Sequence, residues 1–183
     1  MNRVVTLIGY RATGKSSVGP ALADRLGWTC IDSDVLVEEK AGRSIAKIFA
    51  DDDGEAEFRR LERSVIADLL TGRDLVLSAG GGANLNKDTR VEAKQAGPVV
   101  WLQASVDAIL ARLTSDPKSA DTRPSLTDHK DQRAEIVEVL KQRTKVYADA
   151  ATIVVDTDSM DIETVIDTVH QKVAAALAHG DDS

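Results

Sequence analysis

Cysteine is nearly absent from this chain. Cys30 is the only one among 183 residues, so no intrachain disulfide can form and a reducing compartment is the natural setting. His129, His170 and His179 are the only histidines, and they show no metal-ligating spacing. Aromatics amount to 3%, namely Tyr10, Trp28, Phe49, Phe58, Trp101 and Tyr147, which argues against a stacking platform for single-stranded nucleic acid and leaves the core to aliphatic side chains. Positive charge is in deficit. Lys plus Arg is 23 against 30 Asp plus Glu, a net charge of −7, so neither nucleic acid nor an anionic membrane is an expected partner. Long apolar runs are missing as well, since the longest, 173–178, falls far short of the roughly 18 residues a membrane helix needs. The apolar segment 4–8 is too short for a secretory h-region and runs into a glycine-containing loop, so a cytoplasmic location is expected.

What remains is a chain of ordinary globular composition, expected to form one domain over 1–183. Short β-branched runs at 4–8, 29–31, 75–78, 99–102 and 152–155 read as strands. They are apolar throughout rather than alternating, as in a parallel sheet covered on both faces. Helical patterns occupy about 15–26, 55–70, 87–95, 106–113, 132–148 and 162–178. This alternation predicts a doubly wound α/β fold. Two segments interrupt it, a mostly helical one at 34–62 and a polar one at 114–128 that contains Pro117 and Pro124. Residues 179–183 read as a frayed tail.

Gly9-Tyr10-Arg11-Ala12-Thr13-Gly14-Lys15-Ser16 fits G-x-x-x-x-G-K-[ST] and lies between an expected strand and an expected helix, the context that confirms a phosphate loop. Glycines let the backbone turn its N–H groups toward phosphates, and the helix N-terminus adds partial positive charge. Lys15 can reach the β- and γ-phosphates, and the Ser16 hydroxyl can ligate Mg²⁺. The nucleotide-binding set is therefore Ala12, Thr13, Gly14, Lys15, Ser16 and Ser17. Arg11 either adds charge near the phosphates or lies on the surface.

A phosphate-loop protein often carries a Mg²⁺-binding Asp at the end of a later strand, but 75–78 ends in Ala79-Gly80-Gly81-Gly82. The carboxylates left are Asp32 and Asp34, at the carboxyl end of the second strand, where open α/β sheets bind ligands. In one reading Asp32 holds Mg²⁺ and Asp34 accepts a hydrogen bond from the attacking hydroxyl. In the other, Ser33 or Asp34 merely caps the helix that begins near Val35.

The inserted helices carry a more specific pattern. Gly42-Arg43-Ser44-Ile45, Ile48-Phe49, Gly54-Glu55 and Phe58-Arg59-Arg60-Leu61-Glu62 are followed by Ser78-Ala79-Gly80-Gly81-Gly82-Ala83, by Arg123-Pro124, and by Arg143 with Tyr147 four residues later. From Val4 to about Leu177 the chain resembles shikimate kinase, of the nucleoside monophosphate kinase-like phosphate-loop kinases.

The resemblance implies a three-layer fold with a five-stranded parallel sheet of order 2-3-1-4-5. It also implies transfer of phosphate from ATP to the 3-hydroxyl of shikimate, with Mg²⁺, by a monomer. A shikimate-binding segment at 33–62 and a lid at 113–128 follow from it. It further implies that Asp34, Arg59, Gly80, Gly81, Gly82 and Arg143 contact shikimate, that Arg123 folds over the phosphates, and that Arg112 stacks on adenine, with 156–158 completing the adenine pocket. Lys15, Asp34 and Arg123 are then the catalytic set, and Ser16 and Asp32 the metal set.

The chemistry agrees. Planar arginines grip carboxylates bidentately, and Glu62, one helical turn after Arg59, can orient it. Phe49 and Phe58 read either as core or as an apolar wall under the substrate ring. The chain departs from the pattern at Ala12, where the family has Gly, so an altered loop geometry is expected. The Asp51-Asp52-Asp53 run is one residue longer, the segment between Arg112 and Arg123 is also longer, and Ser125 replaces the usual Leu. The rival readings are a gluconate or nucleoside monophosphate kinase, or a non-catalytic nucleotide-binding switch.

Overall fold

The structure, a computed structural model, describes residues 3–115 and 131–180. The elements are β1 (Arg3–Ile8), α1 (Lys15–Leu26), β2 (Thr29–Asp32), α2 (Ser33–Ala41), α3 (Ile45–Phe49), α4 (Gly54–Leu70), β3 (Arg73–Ser78), a 3-10 turn (Ala83–Leu85), α5 (Lys87–Ala96), β4 (Val99–Gln103), α6 (Val106–Ser115), α7 (Gln132–Ala150), β5 (Ile153–Asp156) and α8 (Ile162–Gly180). The expected strands and long helices all form. The inserted segment resolves into α2, α3 and the start of α4, and α8 runs on through His179 to Gly180.

The five strands are parallel in the order β2-β3-β1-β4-β5, as expected. Alternate residues of the continuous apolar strands feed opposite faces. Val4, Ile8, Leu75, Leu77, Val99 and Trp101 pack with Ile66 and Leu70 of α4, Ala93 of α5 and Tyr147 of α7. Val5, Leu7, Val76, Val100, Leu102 and Val155 pack with Val18 and Leu22 of α1 and with Val165, Val169 and Val173 of α8. The three central strands β3, β1 and β4 are thus buried on both faces between two helical layers, whereas the edge strands β2 and β5 are buried only in part, with Val154 44% exposed. Tyr10 joins a third cluster with Ile109 and Leu113 of α6 and Ile136 and Val139 of α7, so the phosphate loop is packed onto the helices beside it.

The register decides what meets at the carboxyl edge. Ile31 pairs with Leu77 and Asp32 with Ser78, so the acidic end of β2 lies beside the end of β3, where the glycine run begins. The segment after β2 turns at once into α2. The Asp32 side chain accepts from the Asp34 backbone N–H at 2.9 Å, so the capping residue is Asp32 rather than Ser33 or Asp34, and the helix begins at Ser33.

Ala12 sits at φ 60°, in the left-handed region. The alanine adopts the conformation a glycine would take without cost, at an expense of roughly 1–2 kcal/mol. The departure at this position is met by strain in one residue.

Candidate active site

The phosphate loop bridges β1 and α1 along a cleft of about 610 Å³. Ala12, Thr13, Gly14, Lys15, Ser16 and Ser17 all line it. The first turn of α1 therefore brings its unsatisfied N–H groups and the positive end of its dipole to the cleft. Thr13 Oγ1 donates to the Tyr10 carbonyl at 2.8 Å, and Lys15 Nζ donates to the Gly9 and Tyr10 carbonyls, each at 2.9 Å. These bonds set the loop's curvature and hold the lysine over it.

Asp32, Asp34 and Ser78 lie across the cleft. Ser78 Oγ donates to Asp32 Oδ2 at 3.4 Å, so Asp32 is held from both sides, by a backbone N–H and by a hydroxyl. Ser16 and Asp32 face one cleft, and no group of three or more His, Cys, Asp or Glu that could hold a metal ion occurs among the described residues. One hydroxyl and one carboxylate are a poor cage for a resident metal. They suit Mg²⁺ that arrives with phosphate oxygens as its other ligands.

Arg112 reaches the cleft from α6. Its Nη1 donates to Thr157 Oγ1 at 3.0 Å and to the Ala12 carbonyl at 3.4 Å, and its Nη2 donates to the Thr157 carbonyl at 2.7 Å. Thr157 is anchored in turn on the Gln103 carbonyl. The guanidinium is thus pinned between the phosphate loop and the segment after β5, and 156–158 contributes through Thr157. Arg123 lies outside the described residues, as does most of the segment 113–128.

A second, smaller cavity adjoins the cleft, lined by Ile45, Phe49 and Phe58 and by Arg59, Glu62, Gly81, Gly82 and Arg143. Phe49 and Phe58 are tilted against each other with ring centroids 5.1 Å apart; Phe58 is buried in the core beneath this cavity and Phe49 packs against it, and both rings line the cavity. Arg59 Nη1 donates to Glu62 Oε2 at 2.8 Å, and its Cζ lies 5.2 Å from the Phe58 ring centroid. The guanidinium is held in plane by a carboxylate and at its face by a ring. Burial raises the Glu62 carboxyl above its ordinary value, and the Arg59 and Arg143 charges pull it back down.

The glycine run is shaped to these neighbours. A Cβ at Gly80 would stand 2.7 Å from Asp34 Oδ1 and 2.9 Å from Glu62 Oε1, and one at Gly82 would press on the Arg59 guanidinium. The Gly80 N–H donates to Ser33 Oγ at 3.0 Å. Among the described residues, Asp34 and Arg11 line both cavities, so a carboxylate and a guanidinium stand in the wall between them.

The chain as a whole has known relatives. The shikimate kinase family model matches residues 11–174. The chain belongs to the shikimate kinase family. A shikimate kinase from Syntrophus aciditrophicus (strain SB) is 39% identical over 175 residues, covering 92% of this chain and 89% of the relative. A solved shikimate kinase from Acinetobacter baumannii in complex with shikimate superposes with a TM-score of 0.85 at 31% identity, covering 96% of this chain and 94% of that one. A solved gluconokinase from Sinorhizobium meliloti 1021 superposes with a TM-score of 0.60 at 17% identity, which is a likeness of fold alone.

Two contacts of this shikimate kinase family member escape a reading by motif. Tyr147 Oη donates to the Gly81 carbonyl at 2.6 Å, and Glu135 pairs with Arg11. Both were within reach of helical spacing. Glu135, Val139, Arg143 and Tyr147 follow one another at four-residue intervals and form one buried stripe of α7. An acid in line with a site arginine was the signal.

Proposed function

We propose that this chain transfers the γ-phosphoryl group of ATP to the 3-hydroxyl of shikimate, giving shikimate 3-phosphate and ADP. The observation that carries the reading is the shared wall. Asp34 lines both the cleft of the phosphate loop and the cavity of the paired arginines, so a carboxylate stands where a hydroxyl on one side would meet a phosphate on the other.

On this reading ATP lies along residues 12–17, with Lys15 at the β- and γ-phosphates and its adenine against Arg112. Arg59 and Arg143, presented by α4 and α7, take the shikimate carboxylate, and Gly81 and Gly82, which line the cavity, together with Gly80 beside Asp34, admit its ring close to the backbone. Asp34 accepts the proton of the 3-hydroxyl as its oxygen bonds to the γ-phosphorus and the bond to the β-phosphate oxygen breaks, releasing ADP. Lys15 and Arg123 stabilise charge on the transferring group. Ser16 and Asp32 would hold the Mg²⁺ that accompanies ATP, whose chemistry is to neutralise phosphate charge. Most of the catalysis on offer is positioning and electrostatics.

No helix among the described residues is long and apolar enough to cross a membrane. The proposed setting is the cytoplasm and the proposed working unit a monomer, because residues of one copy line both cavities. The partners are two small molecules, ATP and shikimate.

An assay of ADP release, with purified protein, ATP and Mg²⁺ and with shikimate, gluconate or a nucleoside monophosphate as acceptor, tests the reading. Shikimate-dependent release is expected. Release with gluconate or a nucleotide and none with shikimate would overturn it, and heat of ATP binding with no turnover on any acceptor would favour a nucleotide switch.

A further inference from the structure

Among the described residues two side chains line both cavities, and of these Asp34 has a part in the reaction above and Arg11 has none. Arg11 is not on the surface. Its Nη2 donates to Glu135 Oε1 at 2.5 Å, with side-chain exposures of 14% and 5%. Its guanidinium carbon lies 5.6 Å from the Tyr10 ring centroid, and Tyr10 Oη itself donates to Glu135 Oε1 at 3.5 Å. Arg11 Nε is buried and makes no hydrogen bond with the described residues. A planar cation is therefore fixed at one end by a carboxylate and at one face by a ring, with a donor unspent, between the phosphate-loop cleft and the smaller cavity.

We propose that Arg11 stabilises the transferring phosphoryl group as it crosses between the two cavities, and that Glu135 is the positioning residue that holds the guanidinium there. The inference rests on the kinase reading. A phosphoryl group that moves from one cavity to the other must pass the groups common to both, and its equatorial oxygens gain most from a cation already in place. Lys15 lines only the phosphate-loop cleft, whereas Arg11 lines both cavities, so Arg11 adds a second charge at the wall shared with the acceptor cavity. Glu135 is rooted in the first turn of α7, whose cap is Asp131, and it lines neither cavity, so it acts on the reaction through Arg11.

The role predicts an effect on kcat rather than on binding. Arg11→Lys keeps the charge and loses the planar fork, and kcat should fall by about 10²-fold while both KM values stay within about threefold. Glu135→Gln keeps an acceptor oxygen and lets the guanidinium drift, for a kcat loss of about tenfold. Removing one partner of a buried pair can unfold a protein, so the double variant Arg11→Gln with Glu135→Gln, which removes both charges, is measured beside the single ones, with Tm and ATP binding by calorimetry for each. A folded double variant whose kcat falls as far as that of Arg11→Lys supports the proposal. A folded double variant with unchanged kcat makes the pair structural and overturns it, and a raised KM for ATP at unchanged kcat makes Arg11 a ground-state phosphate contact and overturns it too. The wild-type chain is the control: absence of shikimate-dependent ADP release there defeats the kinase reading and this inference with it, whereas normal wild-type release with unaffected variants defeats the inference alone.

Discussion

Tyr147 Oη donates to the Gly81 carbonyl oxygen at 2.6 Å, and with that bond the last turns of α7 hold the glycine loop that follows β3. The ring itself lies against Trp101, centroids 5.8 Å apart, in the core of one helical layer. The loop that borders the acceptor cavity is thereby tied to the packed interior, four residues along the helix from Arg143. Loop and arginine share one rigid support.

Tyr147→Phe keeps the ring and removes the donor. Leaving the buried carbonyl unsatisfied should cost about 1–3 kcal/mol of stability. The KM for shikimate should rise while the KM for ATP stays unchanged, because Gly81 borders the acceptor cavity alone. Steady-state kinetics with each substrate varied in turn, together with a thermal melt, checks both halves. Equal changes in the two KM values would mean that the tyrosine supports the fold in general and the loop only incidentally.

Asp34→Asn preserves the backbone N–H that Asp32 caps and the shape of the shared wall, but removes the proton acceptor. Turnover should fall by about 10²- to 10⁴-fold. Calorimetric ATP binding should stay close to that of the wild type. Near-normal turnover in this variant would remove Asp34 from the reaction.

Gly82→Ala introduces a Cβ that would press on Arg59 Nη1 and stand 2.8 Å from its Nη2 and 2.9 Å from its Cζ. Arg59 must swing away, and its bond to Glu62 stretches or breaks. We expect the kcat/KM for shikimate to drop by about 10- to 100-fold, as a displaced clamp requires. ATP hydrolysis in the absence of acceptor should be unaltered. Wild-type kcat/KM would show that the guanidinium has another resting place of equal value.

Burial lifts the Glu62 carboxyl above its ordinary value, against the pull of Arg59 and Arg143. In the window between the ordinary value and the raised one, the folded state keeps a proton that the unfolded chain has released. Stability is therefore fully present below the unfolded value and declines as pH rises through the folded one. Melting temperature followed from acid to neutral pH should fall for the wild type relative to Glu62→Gln, which cannot titrate. Parallel curves would mean that the two arginines cancel the cost of burial.

Much of the site was legible because its determinants are local. The phosphate loop is eight consecutive residues, the glycine run is three, and Arg59 and Glu62 stand one helical turn apart, so strand and helix periods alone orient them. Asp32 and Asp34 were legible as a pair but not in their division of labour. The cap on α2 depends on the turn between β2 and that helix, and it fell to Asp32. Ala12 was legible as a departure, and the structure shows the strain taken up in its own φ of 60°.

The chain's residue types and spacings determine by themselves that a strand, a phosphate loop and a helix stand in line, that the central strands are buried on both faces, and that arginines recur on separate helices of a chain with net charge −7. Only the tertiary structure decided which of those charges share a wall. Arg11 meets Glu135 across 124 residues, Tyr147 reaches Gly81 across 66 and Arg112 reaches Ala12 across 100. Contacts at such separations follow from strand order and from which helical face turns inward. That choice is made by the burial of two whole sheet faces at once, a property of the packed chain that no short stretch of it carries.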